Sequence, residues 1–172
     1  MINKLREGSY IMKSCSFTGH RKIDEAHRAP LDELLGKAIE YVYSEGCRDF
    51  YCGGALGFDT MAAKKIISMR MKYRDMRLFI VIPCKEQAEG WSAGQVGMYE
   101  YILSLADEVI YTSEEYTASC MRKRNQKLVD VCDVLIAFAG RNRSGSAQTV
   151  RMAKQKGIKV YNLYHRITDC EG

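Results

Sequence analysis

The sequence lacks long hydrophobic runs. No apolar stretch approaches the roughly 20 residues of a membrane-spanning helix, and residues 1–12 lack the apolar core of a signal peptide. We therefore expect a cytoplasmic protein with no membrane partner. With 47% hydrophobic and 27% charged residues, a chain of 172 residues suits one domain. We place that domain at residues 13–164, between a loose extension at 1–12 and a tail at 165–172.

The seven cysteines lack the spacings that would indicate a site. There is no C-x-x-C pair and no nearby pair of histidines, so neither a zinc site nor a disulfide framework is predicted. We expect most of these cysteines to be small, buried and reduced. The sequence predicts no metal and no cofactor.

Standard phosphate-binding motifs are absent as well. Residues 49–59 read DFYCGGALGFD, with a helical pattern from Thr60. This spacing is neither the dinucleotide fingerprint G-x-G-x-x-G nor a Walker loop, which needs G-K-[S/T]. It predicts a strand, a tight loop and a helix. Glycines there permit positive φ and a close ligand, and the first N–H groups of the helix point into the same space. The loop is suited to an anion such as phosphate.

Strands alternate with helices along the chain. Short apolar runs predict strands at 13–18, 49–52, 77–83, 108–111, 134–138 and 159–163. Helical spacing predicts helices at 30–46, 59–74, 91–106 and 147–156, with Pro30 in the first turn of the first helix, and either one helix or a pair of helices at 114–132. Hairpin signals are mostly missing, so the pattern predicts an α/β fold with a mostly parallel sheet and helices on both faces.

Two further strands end in loops like the one at 49–59, namely residues 16–21 (SFTGHR) and 139–146 (AGRNRSGS). Right-handed crossovers place these loops on one edge of the sheet. Ligands of such folds bind outside the carboxyl ends of the strands, at the switch point of strand order. We therefore expect the three loops, the loop after Pro83 and the segment around Arg124 to converge on one cleft.

Basic residues are concentrated in the last third of the chain. Residues 1–116 carry 15 Lys/Arg against 17 Asp/Glu, a net charge of −2, and residues 117–172 carry 11 against 4, a net charge of +7. An anionic ligand or a nucleic acid would account for this excess. Basic residues on solvated helix faces would account for it equally well.

Several motifs, taken in order, resemble one known family. They are FTGHR at 17–21, GGALGFD at 53–59, IPC at 82–84 with Gln87 and Trp91, RN at 124–125 before VD at 129–130, and AFAG at 137–140 leading to SGS at 144–146. Together they are similar to the DUF1273 (YpsA/YoqJ-like) family of the SLOG superfamily, over about residues 13–163. The resemblance implies a Rossmann-like three-layer sandwich related to the DNA-processing protein DprA and to the LOG phosphoribohydrolases. It also implies a cleft for a nucleotide or a nucleotide-derived ligand.

The chain departs from these relatives in two places. The family usually has Gly-Gly-Thr where this chain has Ser144, Gly145 and Ser146, so one position loses backbone freedom while a hydroxyl is kept. The LOG enzymes use P-G-G-x-G-T-x-x-E, with a catalytic Glu, and this chain has neither the motif nor a Glu in the helix at 147–156. The resemblance therefore does not imply the activity of the LOG enzymes for this chain, and no catalytic residue is predicted.

The predicted ligand-binding residues come from these loops and from the segment around Arg124. They are Thr18, Gly19, His20, Arg21, Gly53, Gly54, Gly57, Asp59, Arg124, Asn125, Gly140, Ser144, Gly145 and Ser146. The glycines at 53–57 favour ligand contact, although a plain turn also uses glycine. The two arginines offer a planar fork for phosphate, or they form ion pairs with Asp59 or Asp130.

The polar candidates each have a second interpretation. Asp59 is either a helix N-cap, a partner of a ribose hydroxyl or a catalytic carboxylate. His20 is an acid or base, or a structural group. Thr18 bonds a ligand or closes a turn, and Asn125 reads a base or phosphate or caps a helix break. Trp91 covers the cleft or packs in the core.

Three functions remain open. The preferred one is a nucleotide-binding sensor or regulatory domain, which needs no catalytic group. The second is a hydrolase that cleaves an N-glycosidic or phosphate bond, with Asp59 or His20 taking part; its weakness is the lack of a paired acid and base. The third is a nucleic-acid-binding module that uses the basic last third, but no interleaving of aromatic and basic residues supports it. A homodimer also remains open.

Overall fold

The computed structural model of the protein describes residues 12–141 and 143–169. Nearly all of the expected extension, Asn142 of the third glycine loop and the last three residues lie outside the described residues. The described part forms a six-stranded sheet of β1 (Lys13–Gly19), β2 (Cys47–Cys52), β3 (Arg77–Ile82), β4 (Glu108–Tyr111), β5 (Val134–Phe138) and β6 (Lys159–Asn162). Their order is β4-β3-β2-β1-β5-β6, and every neighbouring pair is parallel.

Helices cover both faces of this sheet. They are α1 (Glu25–Ser44), α2 (Phe58–Met69), α3 (Ala93–Leu105), α4 (Cys120–Val131), α5 (Gly145–Gln155) and α6 (Tyr164–Thr168), with a short 3-10 helix at Lys85–Ala88. The helices α1, α2 and α6 pack on one face, α3 packs beside α2, and α4 and α5 pack together on the other face. The predicted Rossmann-like three-layer α/β sandwich is confirmed.

The strand β5, which lies between β1 and β6, shows why the core has two halves. All five of its residues are buried. Successive side chains of a strand point to opposite faces, so Ile136 and Phe138 join the core beneath α1 and α2, while Leu135 and Ala137 join the core beneath α4 and α5. A strand covered on both faces is expected to be a continuous apolar run, and that is why the sequence located β5 with its observed bounds.

The switch point of the sheet lies between β1 and β5. The chain builds β2, β3 and β4 outward on one side of β1 and then returns to place β5 on the other side. The loops after β1 and β5 therefore leave the sheet side by side. They are joined at their start by the His20 N–H, which donates to the Phe138 carbonyl at 3.1 Å.

Three sequence predictions about helix ends were wrong. The first helix begins at Glu25, so Pro30 lies in its second turn rather than its first; an acidic residue in the first turn suits the helix dipole. The helix predicted from residue 114 begins only at Cys120. Residues beyond Tyr164 form α6 up to Thr168 instead of a frayed tail, because Ile167 is buried in the core.

None of the helices in the described part of the chain is both long and apolar enough to cross a membrane.

Candidate functional site

The loop after β5 leads into the N-terminus of α5. Ser144 is the N-cap residue, and its Oγ accepts a hydrogen bond from the Ala147 N–H at 3.2 Å. The Ser146 hydroxyl lies 3.0 Å from the Ser144 hydroxyl. The first N–H groups of a helix have no intrahelical partner, and the helix dipole adds partial positive charge there. This end of α5 is therefore suited to an anion.

His20 fastens the loop after β1 to the loop after β5. Its Nε2 accepts a hydrogen bond from the Gly140 N–H at 2.9 Å, and its Nδ1 lies 3.4 Å from the Ser146 hydroxyl. Because Nε2 accepts this hydrogen bond, it carries no proton itself. His20 is therefore assigned the neutral tautomer with its proton on Nδ1. Burial also lowers the pKa of His20 from its usual 6.5. Of the two interpretations of His20, the geometry favours the structural group.

Arg124 and Asp59 both lie against Gly53, at the place where a side chain on that residue would begin. The Arg124 side chain is buried; its Nη1 donates to the Gly53 carbonyl and its Nε donates to Asn125 Oδ1 at 2.9 Å. Asp59 is 5% exposed, and its Oδ2 accepts from the Ala55 N–H at 3.2 Å. Burial raises the pKa of Asp59 to about 6, and the charges of Arg124 and Arg21 only partly oppose this shift.

Asp59 is not the N-cap of α2. The helix begins at Phe58 and the capping position is Gly57, so the carboxylate lies in the first turn and reaches back to the loop. Asp130, the other proposed carboxylate partner of an arginine, pairs with Lys156 at 3.2 Å. The alternatives of an N-cap and of an Arg124–Asp130 pair are therefore excluded by the structure.

The glycines of these loops are required by close packing within the protein. A Cβ at Gly57 would lie 2.3 Å from the Arg21 carbonyl oxygen, and φ there is +78°. A Cβ at Gly53 would lie 2.6 Å from Arg124 Nη1 and 2.7 Å from Asp59 Oδ2. A Cβ at Gly19 would lie 2.4 Å from the Phe58 ring. These glycines therefore let the loops approach one another, and a bound ligand is not needed to explain them.

A cavity of about 410 Å³ lies at the switch point, and we call it the switch-point cavity. Most of the predicted ligand-binding residues line it: Thr18, Gly19, His20, Arg21, Asp59, Arg124, Asn125, Ser144, Gly145 and Ser146. The remaining wall comes from Ala55, Met121 and Leu128. The three glycine loops and the segment around Arg124 thus meet at one cavity, as predicted. The loop after Pro83 does not join them, since none of residues 83–90 lines either this cavity or the neighbouring one.

A second cavity of about 550 Å³ adjoins the first, and we call it the aromatic cavity. It lies between the loop after β2 and helix α3, where Trp91, Met98 and Tyr99 form one wall. The rings of Trp91 and Tyr99 meet edge to face, with centroids 5.3 Å apart. Basic side chains line it as well, namely Arg21, Lys22, Arg28 and Lys64.

Arg21 and Asp59 line both cavities. Of the other predicted residues, Gly54 and Gly57 line the aromatic cavity. Gly140 lines neither of these two cavities, and its N–H donates a hydrogen bond to His20 Nε2. The sequence analysis named Trp91 as a possible cover of the cleft but missed Met98 and Tyr99. Trp91 precedes α3 and the other two residues lie on it, so their meeting depends on tertiary packing.

The charges around the switch-point cavity favour an anion. Two guanidinium groups and the N-terminus of α5 face one carboxylate, Asp59, whose Oδ1 is buried without a hydrogen-bond partner in the described structure. Arginine with backbone N–H groups is a typical phosphate-binding set. Among residues 12–141 and 143–169, no group of three or more His, Cys, Asp or Glu side chains is arranged to hold a metal ion.

The parallel sheet, its helices on both faces and the cavity beside β1 and β5 define a Rossmann-like α/β domain. Comparison with known families gives a closer assignment. The model described as the YspA SLOG family matches residues 17–168, and the chain belongs to that family. The resemblance drawn from the sequence motifs is confirmed.

Two relatives are similar to the chain over most of its length. The uncharacterized SPbeta prophage-derived protein YoqJ of Bacillus subtilis is 30% identical over 147 residues, which are 77% of this chain and 86% of that protein. A UPF0398 protein of Bacillus thuringiensis is 29% identical over 164 residues, which are 89% of each chain.

Two solved structures share the fold. DNA processing protein A (DprA) from Streptococcus pneumoniae superposes with a TM-score of 0.64 at 17% identity, covering 88% of this chain. DprA from Helicobacter pylori, described for its single-stranded DNA binding mode, gives 0.61 at 16% identity and covers 86% of this chain. The matched region spans only 50% and 63% of these two proteins.

Proposed function

We propose that the switch-point cavity binds the phosphate of a nucleotide or nucleotide-derived ligand, and that the protein acts as a sensor or regulatory domain. One observation carries this proposal: the N-terminus of α5, the buried Arg124 and the exposed Arg21 converge on one cavity at the switch point of the sheet. In open α/β sheets ligands bind at this position.

The arrangement favours binding over hydrolysis. A hydrolase of the kind considered above needs an acid and a base placed around the reacting bond. Both ring nitrogens of His20 already face the protein, and the contacts of Asp59 are a backbone N–H and two nearby arginines rather than a second acid or base. A binding role requires none of these groups to transfer a proton.

The test combines binding with product analysis. We would incubate the purified protein with nucleotides and nucleotide derivatives, measure the shift in melting temperature, and analyse the mixture by mass spectrometry. A ligand at 100 times its Kd adds about 2.7 kcal/mol to the stability, so the shift is easily measured. Stabilisation without new products supports a sensor. Release of a free base or phosphate would show an enzyme instead.

Arg21 offers a clean variant for the same experiment. Its guanidinium reaches both cavities, and its hydrogen bond in the described structure is a long one of 3.9 Å to Met121 Sδ, so its loss costs little packing. We expect Arg21→Ala to weaken nucleotide binding about tenfold, since a charge-assisted bond to phosphate is lost. Arg151→Ala, an exposed change on α5, is the matched control. Equal affinity of the two variants would contradict a phosphate site at Arg21.

A second candidate function is the binding of single-stranded nucleic acid. Two observations favour it: the Helicobacter pylori neighbour was described for that binding mode, and residues 117–172 carry 11 Lys/Arg against 4 Asp/Glu. Exposed basic residues of α4 and α5, such as Lys123 and Lys154, would contact the backbone phosphates. Affinity for an oligonucleotide should then fall steeply as salt rises. Salt-independent or undetectable binding would remove this candidate.

A further inference from the structure

Asp59 has an unexplained buried oxygen. Its side chain is 5% exposed, and Oδ2 accepts the Ala55 N–H, but Oδ1 is buried with no hydrogen-bond partner in the described structure. Arg124 does not supply the missing bond: its Nη1 and Nε donate to Gly53 and Asn125, and Oδ1 accepts no bond from its remaining N–H groups. Buried polar atoms are rarely left unpaired, and an unpaired buried charge is costly. No solvent reaches Oδ1 as the side chain lies in the described structure, so a ligand donor can satisfy this oxygen only when the carboxylate turns towards the cavity.

The position of Asp59 restricts which donor can reach it. The carboxylate lines the switch-point cavity, which carries the α5 N-terminus, and also the aromatic cavity, which carries Trp91 and Tyr99. Aromatic side chains are surfaces on which nucleobases stack. A nucleotide with its phosphate in the first cavity and its base in the second must place its sugar at their junction, beside Asp59.

We propose that the Asp59 carboxylate accepts a hydrogen bond from a ribose hydroxyl, so that a nucleotide lacking that hydroxyl binds more weakly. This inference rests on the proposed function, because it assumes that the phosphate occupies the switch-point cavity. An ionised carboxylate only accepts hydrogen bonds, so the ligand has to provide the donor. A deoxy sugar leaves the buried oxygen unpaired, and sites built to pair with a hydroxyl reject analogues that lack it.

The test is a comparison of sugars. Calorimetry would measure the affinity of the wild-type protein for a ribonucleoside monophosphate, for its 2′-deoxy form and for its 3′-deoxy form. We expect at least one deoxy form to bind about tenfold more weakly or worse. In Asp59→Asn the same ratio should fall toward one, since the neutral amide is a weaker acceptor. In Trp91→Ala both sugars should lose affinity by the same factor, because that change removes only base stacking.

The outcomes separate this inference from the proposed function. If the ribo and deoxy forms bind the wild-type protein equally well, the ribose contact is wrong while the nucleotide site stands. If Asp59→Asn, shown to be folded by circular dichroism, keeps the full discrimination, the contact lies elsewhere and the inference is also overturned. If no nucleotide of any kind binds, both the proposed function and this inference are overturned.

Discussion

The two adjoining cavities are built in different ways. Around the switch-point cavity, loops that follow three strands are held together by polar contacts, such as the buried bond from Arg124 to Gly53 and the part-buried bond from Gly140 to His20. The aromatic cavity is instead formed by side chains of α3 and its approach, where Trp91, Met98 and Tyr99 are only half buried. One cavity is fixed by backbone geometry and the other by side chains with room to move. The first therefore suits a constant group such as phosphate, and the second suits a variable group such as a base.

The largest effect among our predictions comes from adding a single methyl group at Gly53, beside the switch-point cavity. In Gly53→Ala the new Cβ would lie 2.6 Å from Arg124 Nη1 and 2.7 Å from Asp59 Oδ2. We expect a loss of about 3 kcal/mol in the free energy of unfolding, at the upper end of overpacking costs, together with loss of nucleotide binding. Urea denaturation and calorimetry would measure the two effects.

The matched control for this change is Gly97→Ala in α3. A Cβ there meets nothing within 4 Å, and alanine stabilises a helix interior by about 1 kcal/mol relative to glycine. We expect a small gain in stability and unchanged binding. A Gly53→Ala variant as stable as the Gly97→Ala variant would show that the contact between Gly53 and the Arg124–Asp59 pair is not tight.

The next test concerns Asp59, which both cavities share. Its pKa is raised from 3.8 to about 6 by burial. A group with a raised folded-state pKa contributes stability below its unfolded pKa, and this contribution is lost as the pH rises through the folded value. Asp59 therefore destabilises the free protein above about pH 6. We expect Asp59→Asn to gain about 1 to 2 kcal/mol at pH 7, since the unpaired amide keeps part of the desolvation cost.

The pH profile distinguishes this effect from a general packing change. The groups that face Asp59 are Arg124 on α4, Arg21 after β1, and Cys52 and the Ala55 N–H around the end of β2. Burial raises the pKa of Cys52 well above the range from pH 4 to 8. The advantage of Asp59→Asn should therefore vanish near pH 4. An advantage that is constant from pH 4 to 8 would contradict the raised pKa of Asp59.

The sequence predicted the fold and most of the switch-point cavity for physical reasons. Fully covered strands such as β5 are continuous apolar runs, and right-handed crossovers bring their loops to one edge. The same reasoning did not explain why the glycines are there. Gly53 and Gly57 accommodate side-chain and backbone atoms that are distant in the chain, so their role depends on tertiary packing. The aromatic cavity depends on how α3 lies against α2, and helical spacing alone does not give that orientation.

The smallest expected effect is at Ser146, which contributes a hydroxyl to the switch-point cavity. Its Oγ lies 3.0 Å from Ser144 Oγ and 3.4 Å from His20 Nδ1, so Ser146→Ala removes one good hydrogen bond and one long one. We expect a loss of less than about 1 kcal/mol in stability. Binding of a nucleotide should weaken only a few-fold, because the N–H groups of α5 and the nearby arginines remain.

NMR of the His20 ring in Ser146→Ala tests which contact orients this histidine. The Nδ1–H tautomer should persist in this variant, since the Gly140 N–H still donates to Nε2. A switch to the Nε2–H tautomer would mean that Ser146, and not Gly140, fixes this histidine, and the two loops would then be joined by a weaker contact than the backbone hydrogen bond described here.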